Sequence, residues 1–190
     1  NSFYIIMFTP LFTDGIWNTT FNTDLKDYCD FVRKNDTGRN ISNILGYQSN
    51  NLNMADPILQ PLISHIISST KDYSKHIGIE TQGVIDNMWI NISGHKDYNI
   101  EHIHSGCLIS GVYYVQTPKD CGDIVFLRHS HDYMLYDWRN VQKDFNTHNS
   151  ARWIVPSEKN KCYLFPSYTK HAVAPNRSKL ERYSISFNLR

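Results

Sequence analysis

The sequence predicts a mainly β domain, a barrel or sandwich of short strands with helices ahead of it. Three observations carry this. Helical periodicity is confined to the first third of the chain. Beyond Gly78 short β-rich runs alternate with turn residues, and many such runs at fairly even spacing mark an all-β architecture. The length, 190 residues, suits one domain that can bury a core without disulfides or metal to hold it. The chain therefore reads as a single domain over residues 1–190, with a helical part at 1–78 and a barrel core at 79–190.

The elements follow in order. Phe3 to Phe8 is an apolar run with no basic flank and no small-residue cleavage site, so it reads as a first strand and not as a signal peptide. Leu25, Tyr28, Cys29 and Val32 fall at i, i+3, i+4 and i+7, the apolar stripe of a helix, with Asn22 or Thr23 as its cap. Ser42 to Ser49 has the composition of a loop. Asp56-Pro57 is a helix start, a capping carboxylate followed by proline at the first helical position. Its stripe is Ile58, Leu62, Ile66, Ile67 and Tyr73, fading near Gly78. Strands are expected at 85–92, 101–104, 107–116, 123–127, 152–155, 161–165, 171–174 and 182–189. The gap at 128–151 is long for a compact domain, and loops of that length are functional or mobile. It reads either as a lid over the barrel mouth or as an ordered insertion packed outside. Its His129, His131 and His148 are not expected to bind metal, because a loop must be ordered before it can hold an ion.

Composition excludes several classes. Lys plus Arg number 19 against 18 Asp plus Glu, a formal charge of +1. That argues against a dedicated binder of nucleic acid or membrane surfaces. Hydrophobic residues at 41% and aromatic residues at 13% exclude a disordered chain. No apolar stretch approaches membrane-spanning length. Cys29, Cys107, Cys121 and Cys162 form no CxxC pair. Their even number permits disulfides, but their scatter favours thiols in a reducing compartment such as the cytoplasm.

Three of the nine histidines carry chemistry. In Glu101-His102-Ile103-His104 the strand period places both imidazoles on one face and Ile103 on the other. Two imidazoles on one strand can chelate one ion, and His171, after the turn that follows Leu164-Phe165-Pro166-Ser167, is placed where a barrel could bring it opposite. Imidazole suits Fe, Zn, Cu and Ni. An isolated HxH is as readily a half-exposed strand. Arg182 opens the last run, whose alternation sends Arg182, Ser184, Ser186 and Asn188 one way and Tyr183, Ile185 and Phe187 the other. An arginine in that position can grip a carboxylate with two prongs; the alternative is a surface arginine on an edge strand.

Taken together, these pieces resemble the Fe(II)- and 2-oxoglutarate-dependent oxygenase superfamily, and within it a group of small bacterial and phage proteins. The residues that carry the likeness are Phe8-Thr9-Pro10-Leu11-Phe12, Ser42-Asn43, Gly46-Tyr47-Gln48-Ser49, Trp89-Ile90-Asn91 and Tyr98-Asn99-x-x-His102-x-His104. They continue with Ser110-Gly111-Val112-Tyr113-Tyr114-Val115, Leu164-Phe165-Pro166-Ser167 with His171, and Arg182-Tyr183-Ser184-Ile185-Ser186-Phe187-Asn188. No piece is specific alone; their order and spacing are. At a distance the chain is also similar to prolyl hydroxylases, whose last strand opens with Arg-Tyr and whose third barrel strand carries a Tyr-Tyr pair.

The resemblance implies a double-stranded β-helix, the jelly-roll barrel of cupins, with the N-terminal helices packed outside. It implies one Fe(II) held by an H-x-D/E pair and a distal histidine. His102 matches the first ligand and His171 the distal one, while His104 stands where the family has a carboxylate. Either three histidines bind, or one of His102 and His104 orients the other. Ser105 replaces a proline common in the group. The implied cosubstrates are 2-oxoglutarate and O2, with Arg182 on the far carboxylate of 2-oxoglutarate, helped by Ser186, Tyr114 and Asn91. The implied reaction couples decarboxylation of 2-oxoglutarate to hydroxylation of a C–H bond, on a peptide or protein side chain or on a small metabolite. Two alternatives stand beside it. One is a cupin-type metalloprotein without 2-oxoglutarate, although Leu108 and Ile109 occupy the place of the cupin glutamate. The other is a non-catalytic jelly-roll binding module.

Overall fold

The computed structural model describes residues 13–129, 138 and 141–190. In chain order the elements are β1 (Trp17–Thr20), α1 (Lys26–Asn35), β2 (Asn43–Ile44), β3 (Tyr47–Gln48), a 3-10 turn (Pro57–Leu59) leading into α2 (Gln60–Ile77), β4 (Ile85–Ser93), β5 (Tyr98–His102) and β6 (Ile109–Gln116). Then come β7 (Ile124–Leu127), β8 (Arg152–Val155), β9 (Lys161–Pro166), β10 (His171–Val173) and β11 (Arg182–Leu189). The strands form two antiparallel sheets, ordered β1-β9-β6-β11-β4-β3 and β2-β5-β10-β7-β8. This is the expected mainly β, jelly-roll architecture.

Alternation along the four central strands of the larger sheet sorts its two faces. Met88, Ile90 and Ile92 of β4, Tyr113 and Val115 of β6, Cys162 and Leu164 of β9, and Tyr183, Ile185 and Phe187 of β11 point one way. They are buried against Leu25 and Cys29 of the α1 region and against Leu59, Leu62, Ile66 and Tyr73 of the α2 region. Each large side chain so buried contributes on the order of 1.5–3 kcal/mol. The other parity faces the smaller sheet. There Val112, Tyr114, Tyr163 and Phe165 meet Ile124 and Phe126 of β7, and Arg182, Ser184 and Ser186 line a cleft between the sheets.

Several sequence expectations are refined. The Asp56 carboxylate accepts from the Ile58 amide at 3.1 Å, as a capping residue should. Gly78 closes α2 in the left-handed conformation at φ 73°, which glycine reaches without steric cost. Ile58, however, is exposed and Leu59 takes its place in the core, because the 3-10 turn rotates the stripe by one position before the α-helix begins. Neither Asn22 nor Thr23 caps α1. It starts after the buried Leu25, and the Asp24 carboxylate accepts from the Lys26 amide at 3.2 Å. Residues 42–49, expected as a loop, hold β2 and β3, which pair with β5 and β4 respectively; β1 was not foreseen. The run from Phe3 to Phe8 lies outside the described residues. Among the described residues no helix is long and apolar enough to cross a membrane. All four cysteines are free thiols.

Helix α1 is tied to the start of β11 by a polar cluster. Arg33 donates to Glu181 at 2.8 Å and to the Tyr183 hydroxyl at 3.2 Å. That hydroxyl shares its proton between Asp30 and Glu181, each at 2.8 Å.

One close approach can be tested. Gly111 of β6 lies across from Phe187 of β11, and a Cβ there would sit 2.5 Å from the Phe187 ring and 2.6 Å from the Tyr163 carbonyl. Overpacking of this kind costs about 1–3 kcal/mol. Gly111→Ala is expected to lower the unfolding free energy by that amount and the urea midpoint with it, and an unchanged midpoint would show that the ring has room to move.

Candidate metal centre

The centre is built on the pairing of β5 with β10. His171, the first residue of β10, sits directly across from His102, the last of β5. The strand ends there, so His104 lies two residues beyond it, and the expected strand at 101–104 is shifted to Tyr98–His102. The extended course nevertheless continues, because the His104 amide donates to the Ser167 carbonyl at 3.0 Å. The parity expected from the sequence therefore holds. Ring centroids lie 4.3 Å apart for His102–His171, 5.0 Å for His102–His104 and 5.1 Å for His104–His171. One ring nitrogen from each of the three falls within 4.8 Å of the others. Ile103 points away and is exposed.

Two of the imidazoles are fixed by backbone carbonyls. His102 Nδ1 donates to the Ile100 carbonyl at 2.7 Å and His171 Nδ1 to the Thr169 carbonyl at 2.9 Å. A carbonyl only accepts, so the proton sits on Nδ1 and the Nε2 lone pair is left for a metal. Burial pushes the pKa of all three below the ordinary histidine value. His171 falls to about 3, with His102 and then His104 as secondary causes, and His104 to about 4, with His102 secondary. His102 is lowered by burial, against the carbonyl of Ile100. The cluster is thus neutral near pH 7, the protonation state metal binding requires. The donor set suits a borderline divalent ion such as Fe(II) or Zn(II). Among the described residues no other group of histidine, cysteine and acidic side chains is so arranged. His129 rests against the Tyr168 ring instead, 5.9 Å between centroids. His131 lies outside the described residues, as does part of the 128–151 segment, whose two ends are tied by Arg128 donating to the carbonyls of Ser150 and Thr147 at 3.1 and 2.6 Å.

The cleft that holds these imidazoles reaches down to Arg182. Arg182 is only 2% exposed, yet none of the ion pairs among the described residues includes it. Its Nη1 donates to the carbonyls of Cys121 and Gly122 at 2.7 and 2.9 Å, and its Nη2 to the Ser93 hydroxyl at 2.9 Å. Burial lowers its pKa. A buried charge without a counter-ion is costly, and it fits an anionic ligand. Gly122, at φ 85°, makes this cradle possible. A Cβ there would meet the Ala174 carbonyl at 2.1 Å and Arg182 Nη1 at 3.0 Å.

The other expected cosubstrate contacts line the same cleft. Asn91 Nδ2 donates to the Ser186 hydroxyl at 3.0 Å, while Asn91 Oδ1 is buried without a partner. Tyr114 also lines it. Burial raises its phenol pKa, and the nearby Arg182 opposes that rise. The cleft thus brings together His102, His104, His171, Arg182, Ser186, Tyr114 and Asn91. No aspartate or glutamate is among its described lining residues. Sequence reasoning missed Ser93 and the two carbonyls that hold Arg182. Backbone carbonyls leave no trace in residue type; Gly122 was the one available signal.

Residues 87–188, more than half of the chain, match the family model described as "Putative 2OG-Fe(II) oxygenase". Among solved structures, a Pseudomonas putida prolyl-4-hydroxylase is similar at TM-score 0.66 and 11% identity, over 94% of each chain. SnoK, a non-heme alpha ketoglutarate dependent carbocyclase from nogalamycin biosynthesis, is similar at 0.64 and 15%, over 92% of this chain and 79% of that one. A Trichoplax adhaerens prolyl hydroxylase, solved with a hypoxia inducible factor peptide fragment, gives 0.55 and 16%, over 91% and 83%. At these identities the likeness is one of fold. No curated protein matches the chain.

The depressed histidine values have a consequence for stability. In the unfolded chain these imidazoles titrate near 6.5, whereas folded His104 and His171 resist protonation down to about 4 and about 3. Below pH 6.5 the unfolded state binds the protons first. Stability is therefore full above 6.5 and falls as the pH drops toward the folded values. The urea midpoint of the metal-free protein should be lower at pH 5 than at pH 7.5, and a His104→Gln/His171→Gln variant should show a smaller fall. An equal fall in both proteins would mean that other groups carry it.

Proposed function

The chain belongs to the 2OG-Fe(II) oxygenase family, and from that premise we propose that His102, His104 and His171 hold its Fe(II) while Arg182 anchors its 2-oxoglutarate. The reaction we infer is hydroxylation of a C–H bond on a second substrate. The observation that carries this reading is the buried, unpaired guanidinium in the same cleft as three neutral imidazoles.

When bound, Fe(II) with 2-oxoglutarate supplies the oxygen activation that ends in succinate, CO2 and an oxidised substrate. The chain's own residues do the positioning. The Nδ1 bonds to Ile100 and Thr169 hold two ligand rings in orientation. Arg182, fixed by two carbonyls and Ser93, presents its remaining N–H groups to the far carboxylate of 2-oxoglutarate. Asn91, Ser186 and Tyr114 add neutral hydrogen bonds beside it. Phe165, with its ring 4.8 Å from that of His171, forms part of an apolar wall that limits water near the metal.

A peptide or protein side chain is the substrate class we favour, supported by the fold likeness to two prolyl hydroxylases; a small metabolite is the competing class. A cupin-type metalloprotein without 2-oxoglutarate would leave Arg182 without a role.

The test is succinate release by Fe(II)-loaded protein, with metal and 2-oxoglutarate binding measured separately. Alanine at His102, His104 or His171 should abolish stoichiometric metal binding. Arg182→Ala should weaken 2-oxoglutarate by about 2–5 kcal/mol, the cost of breaking a buried charge pair. Arg182→Lys should weaken it too, because a point charge lacks the two-pronged geometry. Tyr114→Phe and Ser186→Ala should each cost about 1 kcal/mol. Unchanged 2-oxoglutarate affinity in Arg182→Ala would remove this assignment.

A further inference from the structure

A second guanidinium lies against a wall residue of the cleft. Arg39, half-buried in the segment between α1 and β2, places its guanidinium carbon 5.9 Å from the centre of the Trp89 ring. Trp89 lines the cleft, and its ring lies 5.8 Å from that of His104. One aromatic ring therefore separates Arg39 from the metal centre. Arg39 spends little of its hydrogen-bonding capacity on the protein. Its Nη2 donates to Asn51 Oδ1 at 3.0 Å, while its Nε is buried without a partner. The neighbouring carboxylate, Asp36, is committed elsewhere. It accepts from the Gly38 amide at 2.6 Å and from the Asn50 amide and side chain. No ion pair among the described residues includes Arg39.

We propose that Arg39, positioned over Trp89, is the specificity residue for a primary substrate that carries a carboxylate. The proposal rests on the oxygenase reading above and narrows its substrate. Charge supports it independently. Three neutral imidazoles leave a divalent ion's two positive charges uncompensated, and 2-oxoglutarate brings two negative charges. Arg182 then leaves the filled cleft with a positive excess that no aspartate or glutamate among its described lining residues offsets, and Arg39 adds to it. An anionic second substrate neutralises that excess; a neutral or cationic one leaves it or enlarges it. The cation–π contact with Trp89 and the bond to Asn51 hold the guanidinium beside the ring, where its planar fork of donors suits a planar carboxylate. A free amino acid and an acidic side chain of a peptide are the two sources of such a carboxylate.

The experiment uses the full chain loaded with Fe(II) and saturated with 2-oxoglutarate, so that Arg182 is already occupied. Under anaerobic conditions, tryptophan fluorescence is titrated with the twenty free amino acids, their C-terminal amides, and blocked tripeptides centred on Asp, Glu, Asn or Gln. Succinate release is then measured with the same probes in air. The expected result is saturable binding of at least one carboxylate, at least tenfold tighter than its matched amide. Arg39→Gln should bring the pair within about twofold, and Arg39→Lys should retain part of the preference. A preference among free amino acids identifies one source of the carboxylate, and a preference for Asp over Asn peptides the other. No saturable carboxylate binding, equal binding of acid and amide, or an acid preference that survives in Arg39→Gln overturns the proposal. Binding with that preference but no succinate release upholds the Arg39 site and overturns the oxygenase assignment of the cleft.

Discussion

A one-residue slip of β11 between β4 and β6 would turn Arg182, Ser184 and Ser186 toward the helices and Tyr183, Ile185 and Phe187 into the cleft. The apolar set is buried on the helix side, so such a slip would expose three large side chains and bury a guanidinium among hydrocarbon. Register is thus enforced by the core, and the site inherits it. The same parity operates in β4, where Met88, Ile90 and Ile92 face the helices while Trp89 and Asn91 face the cleft. The hydrophobic effect that closes the larger sheet against α1 and α2 is also what aims the polar residues of the cleft.

The smaller sheet solves a different problem. It must hold three polar rings close together and dry. Pairing His171 with His102 does half of this through backbone bonds alone, and the carbonyls of Ile100 and Thr169 absorb the ring protons. Phe126 and Phe165 flank His171, at 6.0 and 4.8 Å between centroids. The low-dielectric surroundings that keep the imidazoles neutral are unfavourable to Arg182, which survives there because oriented carbonyl dipoles stand in for a counter-ion. Both features cost folding stability and prepare the cleft for ions from outside, the balance expected where function sits.

Much of this was legible in the sequence, for reasons of period and chemistry. Strand runs of four or more residues beyond Gly78 announced themselves by composition, whereas the four residues of β1 did not; the α2 start showed in its aspartate and proline, and the faces of β11 in their alternation. The histidine cluster was legible because parity needs only an extended backbone, which His104 keeps beyond the end of β5. Strands β2 and β3, two residues each, were not legible. Such short pairings are imposed by the neighbouring sheet edges and carry no propensity of their own. Arg39 was invisible for a similar reason. Its significance comes from Trp89, fifty positions away in sequence, and no local pattern joins the two.

Arg182 and Tyr183 are consecutive residues on opposite faces of β11, and this adjacency links the outside of the fold to the cleft. Tyr183 is gripped by Asp30, Glu181 and Arg33 at the helix side, and Lys26 stands over its ring at 5.0 Å. The exposed ion pairs in this cluster are individually weak. As a network around a buried ring they fix the first residues of the strand, where fraying would otherwise be greatest. Arg182 sits at that end, and its own bonds to Cys121, Gly122 and Ser93 hold it from the other face. The guanidinium is therefore held in place from both sides of one sheet before any ligand arrives, and little of a ligand's binding energy needs to be spent on ordering it.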